Sequence, residues 1–145
     1  MGLIYCFLVN VMSDEILKFK VKQLHTIRTV LLVLHKTLMD SQKLLYEARY
    51  GPIGGPNEYF KIVLEDEEFV WLRTFSLLIV EIDEAIYSKR NPVTLEAATA
   101  LLDVARQTLQ PSPVGSVTAQ NYYLAIERDT TIAKLHLQIK QVFDT

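Results

Sequence analysis

The chain reads as an all-α domain, an irregular bundle of five or six helices with a long first helix, packed around the stretch 66–87. Three observations predict this. Asp66–Tyr87, DEEFVWLRTFSLLIVEIDEAIY, carries a wide apolar face at helical spacing. Asp14–Tyr50 keeps a helical pattern over a length unusual for a globular domain. The remaining helical segments are joined by short connections, which favour antiparallel neighbours.

Composition sets the outer bounds. At 145 residues the chain is one domain of ordinary size, long enough to bury a sizeable core. Half of it is hydrophobic and 22% is charged, which rules out disorder by composition. A net charge of −2 provides no basic footprint, so nucleic-acid binding is not expected. The lone Cys6 excludes an internal disulfide and a cysteine-rich metal site, and a reducing cytoplasm fits best.

The first residues, MGLIYCFLVNV, are apolar but too short to span a membrane as a helix. They lack the positive start and small-residue cleavage site of a signal peptide. Tyr5 is too bulky for a lipoprotein box ending at Cys6, and Gly2 lacks the serine or threonine wanted for myristoylation. Two readings remain. Translation begins at Met12, with Ser13 or Asp14 capping the first helix and residues 1–12 a non-native or poorly ordered leader. Alternatively, these residues form an apolar strap or strand folded onto the bundle.

In the first helix Leu17, Leu24, Leu31, Leu38 and Leu45 recur every seven residues. The companion positions Val21, Arg28, His35 and Gln42 are mostly polar, a poor two-stranded seam. Ile27, Val30 and Leu34 widen the stripe into a bundle face instead. The segment ILKFKVK alternates apolar and basic residues, which also suits extended chain. Lys36–Asp40 and Lys43–Glu47 are expected as i,i+4 pairs on the solvated side. The cluster Lys18, Lys20, Lys22, His25 and Arg28 reads as a solvated basic face.

Gly51-Pro52-Ile53-Gly54-Gly55-Pro56 ends that helix, with Gly51 suited to a left-handed C′ position. It has neither the spacing nor the lysine of a phosphate-binding loop. A short helix over Glu58–Glu65 follows, with Asn57 as its cap. Asp66 then caps the central helix, where Glu67 and Glu68 complement the dipole. Its apolar face holds Trp71, Leu72, Phe75, Leu78, Ile79, Ile82, Ala85 and Ile86, with Phe69, Val70, Leu77 and Val80 outside it. Thr94 caps a helix over Leu95–Leu109, and Ser116 or Thr118 opens another through Arg128. The last starts at Thr130, with Ile132, Leu135, Ile139, Val142 and Phe143 as its stripe.

No motif ties residues to a reaction, but a few polar side chains stand out. Arg73, Ser76, Val80, Asp83 and Tyr87 line up along one side of the central helix, with Glu84 next to them. Polar groups beside so much apolar surface need partners if buried. Arg73 would take a carboxylate from Glu47 or Asp40. One reading is an ion-pair network that sets helix register; the other is an anion-binding or catalytic edge that includes His35 and Glu47.

The chain has no Glu-x-x-His, and its histidines are only His25, His35 and His136, so no metal or other cofactor is expected. Ser76 has no histidine near it in sequence and no glycine elbow around it.

The run His35-Lys36 … Tyr46-Glu47 … Gly51-Pro52 … Glu58-Tyr59 … Phe69-x-Trp71-Leu72-Arg73 … Ser76-x-Leu78-Ile79 … Ile82-Asp83-Glu84 resembles a family of small bacterial all-helical proteins with no assigned activity. The resemblance covers residues 24–145. It implies the fold and a bacterial source and transfers no catalytic residue. It groups His35, Glu47, Arg73, Ser76 and Asp83 in one recurring arrangement, as site or as scaffold.

Two functions follow as expectations. The first is an interaction or structural protein, self-associating as a homo-oligomer through the long first helix or binding a protein partner. The second is a small-ligand or anion binder, or an unrecognised enzyme, built on His35, Glu47, Arg73, Ser76, Asp83 and Glu84. A concave pocket opening onto Arg73 and His35 would favour the second. The start-site reading predicts that protein made from its native gene has an intact mass lacking residues 1–11; a mass that includes them overturns it.

Overall fold

A computed structural model describes residues 1–145 as seven helices and no strand: α1 Gly2–Tyr50, α2 Pro56–Glu65, α3 Glu67–Val70, α4 Arg73–Tyr87, α5 Leu95–Thr108, α6 Val117–Arg128 and α7 Thr130–Phe143. Six have ten or more residues, and α3 is a single turn of four residues.

Helix α1 carries the longest buried stripe. Leu24, Ile27, Leu31, Leu34 and Leu38, spaced three and four apart, are all fully buried. The face they form touches α3, α4, α5 and α7. Leu17 and Leu45, at the ends of the seven-residue repeat, are only half-buried. The stripe is therefore a bundle face. Gly51 ends the helix at φ 90°, its N–H bonded to the Glu47 carbonyl at 2.9 Å. Two carboxylates tie down the following loop. Glu47 Oε2 accepts from the Ile53 N–H at 3.0 Å, and Glu58 Oε2 from the Gly54 N–H at 2.7 Å. Helix α2 starts two residues earlier than expected, with Gly55 rather than Asn57 at the N-cap and Pro56 as the first helical residue. The fixed φ of proline suits that first helical position.

The single helix expected over 66–87 is broken at Trp71-Leu72. The cause is local. The Trp71 indole N–H donates to the Glu68 carbonyl at 2.9 Å. In a regular helix that carbonyl would take the Leu72 N–H, which instead bonds the Phe69 carbonyl at 3.0 Å. The chain keeps right-handed dihedrals through the turn but changes its phase. Phe69, expected off the apolar face, is consequently buried at 1% exposure. Phe75, Leu78 and Ile82 lie inward on α4 as expected, while Leu77 and Val80 stay exposed.

Helices α5 and α6 start at caps the sequence indicates, and α7 starts at Thr130 as expected. Thr94 accepts from the Ala97 N–H at 3.1 Å and Ser116 from the Ala119 N–H at 3.1 Å. Asp129 caps α7 through the Thr131 N–H at 2.8 Å. Tyr122, fully buried on α6, packs edge-on against Phe75 at 5.2 Å, and Arg128 Nε donates to Ser41 Oγ at 3.0 Å. These contacts hold α6 to α4 and α1.

The amino-terminal segment is neither strap nor strand. Helix α1 begins at Gly2 rather than Asp14, and ILKFKVK is helical. No proline or further glycine interrupts the helix before Gly51. Met1–Met12 are exposed throughout. No helix is long and apolar enough to cross a membrane.

Truncating Leu31→Ala should destabilise the fold by about 2–5 kcal/mol in urea titrations, whereas Leu44→Ala, at a position 71% exposed, should stay within roughly 0.5 kcal/mol. Trp71→Phe removes the indole bond and should cost about 1 kcal/mol.

Candidate functional site

The six polar residues singled out in the sequence fall into three places. The reason is the geometry of two antiparallel helices. His35 pairs with Ser76 and Arg28 with Asp83, so a step of seven residues forward on α1 is a step of seven backward on α4. Seven residues of helix separate the two pairs by about 10 Å along the axis. One polar edge in sequence therefore becomes two separate contacts in space.

The first contact forms a hollow. His35 Nε2 and Ser76 Oγ lie 2.9 Å apart, and Ser76 Oγ also lies 3.4 Å from the Leu72 carbonyl. Two proton arrangements satisfy the pair: the hydroxyl donates to Nε2, or Nε2–H donates to the hydroxyl, which then donates to Leu72. Burial pushes the half-buried His35 below the usual histidine range and favours a neutral ring. Tertiary packing thus supplies the histidine that Ser76 lacks in sequence.

Arg73 lies at the rim. It takes neither Glu47 nor Asp40, the carboxylates expected for it. Nη2 donates to the Leu64 carbonyl at 2.9 Å, one of the unpaired carbonyls at the α2 C-terminus, where the helix dipole also favours a cation. Met39, Val63, Leu64, Phe69 and Leu72 wall the hollow, His35, Arg73 and Ser76 supply its polar groups, and it measures 250 Å³.

The second contact bolts α1 to the far end of α4. Arg28, expected on a solvated face, is ion-paired with Asp83 and lies 5.2 Å above the Tyr87 ring. The bond to Asp83 is the main reason its pKa is raised. His25 meets the same ring edge-on at 5.6 Å. Glu84 is exposed beside Asp83 and Tyr87 on the border of a shallow depression.

Glu47, the third location, fastens the loop after α1 and joins neither contact. Of the two expected i,i+4 pairs, Lys36–Asp40 forms at 2.8 Å. Lys43 instead lies 5.1 Å from the Tyr59 ring centroid.

A second buried histidine pair escaped the sequence reading. Tyr122 Oη lies 2.8 Å from His136 Nδ1. A tyrosine on an inward stripe signals that its hydroxyl needs a partner, but nothing in the spacing names His136. Burial pushes the Tyr122 pKa up. Burial pushes His136 down, and nearby Lys140 adds to that.

Chemically, the first hollow offers a hydroxyl, an imidazole and a guanidinium beside apolar walls. It does not assemble acyl-transfer machinery. Ser76 sits inside a helix with its N–H bonded to Leu72 at 3.2 Å, and His35 makes no bond to a carboxylate. An oxyanion site needs free donors, and a triad needs a group that orients its base. No group of three or more His, Cys, Asp or Glu side chains comes together in a way that could hold a metal ion.

His35 and His136 both have folded pKa values below the usual 6.5 or so. The unfolded chain therefore binds more protons as the pH falls through that value. Their contribution to stability is present above about pH 6.5 and is lost as the pH falls toward the folded values. The urea midpoint should decline from about pH 7.5 to about pH 5, and His35→Gln with His136→Gln should flatten part of that slope.

No protein-family model, curated protein or solved structure shows significant similarity to the chain.

Proposed function

We propose that the protein is a self-associating interaction module that pairs with a second copy of itself through the amino-terminal part of α1. The observation that carries this is a run of exposed apolar side chains on a helix with nothing packed around it. Leu17 is the first residue of α1 to pack against the core, so residues 2–16 form roughly 22 Å of free helix. Leu3, Ile4, Tyr5, Phe7, Leu8 and Met12 are each more than half exposed there. Apolar surface that is contiguous on this scale marks an interaction site.

A second copy fits this surface in one orientation. Tyr5, Val9, Met12, Ile16 and Phe19 are spaced four, three, four and three apart, the spacing of a helix–helix seam. The seam is nearly symmetric about Met12, as a two-fold contact requires. Antiparallel pairing sets Tyr5 beside the partner's Phe19 and Val9 beside the partner's Ile16. A parallel pair would run into α7, because Gln23, next on the same side, is bonded to the Val142 carbonyl at 2.9 Å. In the antiparallel register about Met12 the first residues of the partner helix lie level with Gln23, beside that bond. The apolar tip of that helix reaches an open hollow of 510 Å³ bordered by Phe19, Gln23, Val30, Val142 and Thr145.

The exposed single Cys6 suits a reducing compartment, and the resemblance to small bacterial helical proteins supports a bacterial cytoplasm.

Sedimentation of the full chain at tens of micromolar should yield a dimer. Met12→Glu places two carboxylates against each other at the two-fold axis and should produce a monomer with unchanged helical content. Val114→Glu, at a position 87% exposed far from the seam, should leave the dimer intact. A wild-type monomer, or a dimer that survives Met12→Glu, refutes the proposal.

A further inference from the structure

We infer that the hollow at the α3–α4 turn is a binding site for a small aliphatic monocarboxylate, with Arg73 holding the carboxylate and the chain lying on the apolar wall. The inference is independent of self-association, since every residue involved belongs to the bundle and none to the free part of α1.

The chemistry selects the ligand. Arg73 takes part in none of the ion pairs of the molecule. Its guanidinium has five N–H donors, of which one is engaged, with the Leu64 carbonyl. A planar fork with free donors matches a carboxylate bidentately. The groups lining the hollow include no acidic side chain, so no carboxylate in its wall pairs with Arg73 or attracts a cation.

Beyond the rim the lining is Met39, Val63, Leu64, Phe69 and Leu72, which favours an alkyl chain over the hydrated oxygens of a phosphate. One guanidinium balances one negative charge. A volume of 250 Å³ suits a ligand of several heavy atoms rather than a lipid. His35 and Ser76 border the same space; when His35 Nε2–H donates to Ser76 Oγ, the hydroxyl proton can turn from the Leu72 carbonyl to a carboxylate oxygen.

Hexanoate is the probe. The protein has three histidines, and their imidazole resonances report where it binds. The His35 signal, assigned by its loss in His35→Gln, should move saturably with hexanoate at fixed pH while those of His25 and His136 stay still. Arg73→Gln should weaken the titration at least tenfold, and Arg73→Lys, which keeps the charge without the fork, should weaken it less. Hexylammonium should produce no saturable shift, and acetate should bind at least tenfold more weakly than hexanoate. Unchanged thermal melting of both Arg73 variants excludes unfolding as the cause. The assignment fails if His35 does not move with about 10 mM hexanoate, if all three histidines move together, if Arg73→Gln binds as tightly as the wild type, or if acetate or hexylammonium matches hexanoate.

Discussion

Burial of one stripe on α1 is the constraint on which the rest of the molecule depends. Leu24, Ile27, Leu31, Leu34 and Leu38 have no remaining access to solvent, and no single neighbour could cover them. Helices α4, α5 and α7 pack onto the stripe together, with α3 closing one end. A side chain of this size stabilises the fold by about 1.5–3 kcal/mol when it leaves water, so the positions of the surrounding helices follow from the need to cover it. Where the covering helices stop, the stripe stops being buried, but the helix does not. That mismatch between the length of α1 and the length of its cover exposes the amino-terminal apolar run.

The polar contacts adjust this arrangement rather than create it. Arg28–Asp83 and His35–Ser76 lie about two turns apart on the same pair of helices, and together they are satisfied by only one sliding position of α4 along α1. The Trp71 indole bond changes the phase of the chain just before α4, turning Phe69 into the core. It also puts Leu72, Arg73 and Ser76 where α2 and α1 meet. The hollow is a by-product of that phase change. A continuous helix over 66–87 would have kept Phe69 outside the core and denied the hollow part of its wall.

Much of the fold was legible because its signals are local. Caps at Asp66, Thr94 and Ser116, the glycine stop at Gly51 and the period of the apolar stripes each involve residues within a few positions of one another. The candidate site was half legible. His35, Arg73 and Ser76 stood out as polar groups beside apolar faces, and they do share one hollow. Their companions Asp83, Glu84 and Glu47 did not join them, and Arg28 left the solvated face assigned to it. Which carboxylate meets which cation depends on the register between helices distant in sequence, and a single helical face carries no record of it. Arg73 is the sharpest case: its partner is a backbone carbonyl, a group that every residue possesses and no sequence pattern marks.

By itself, the sequence determined the helical class, the order of the helices, the caps at Asp66, Thr94 and Ser116 and most of the inward residues, because period and capping act over one or two turns. Only the tertiary structure decided that the stretch 66–87 breaks at Trp71, that Ser76 meets a histidine, and that α1 runs on alone from Gly2 past its covering helices. The physical reason is the same in each case. These outcomes turn on which groups compete for the same carbonyl, hydroxyl or apolar surface, and the competitors are assembled only when the helices pack.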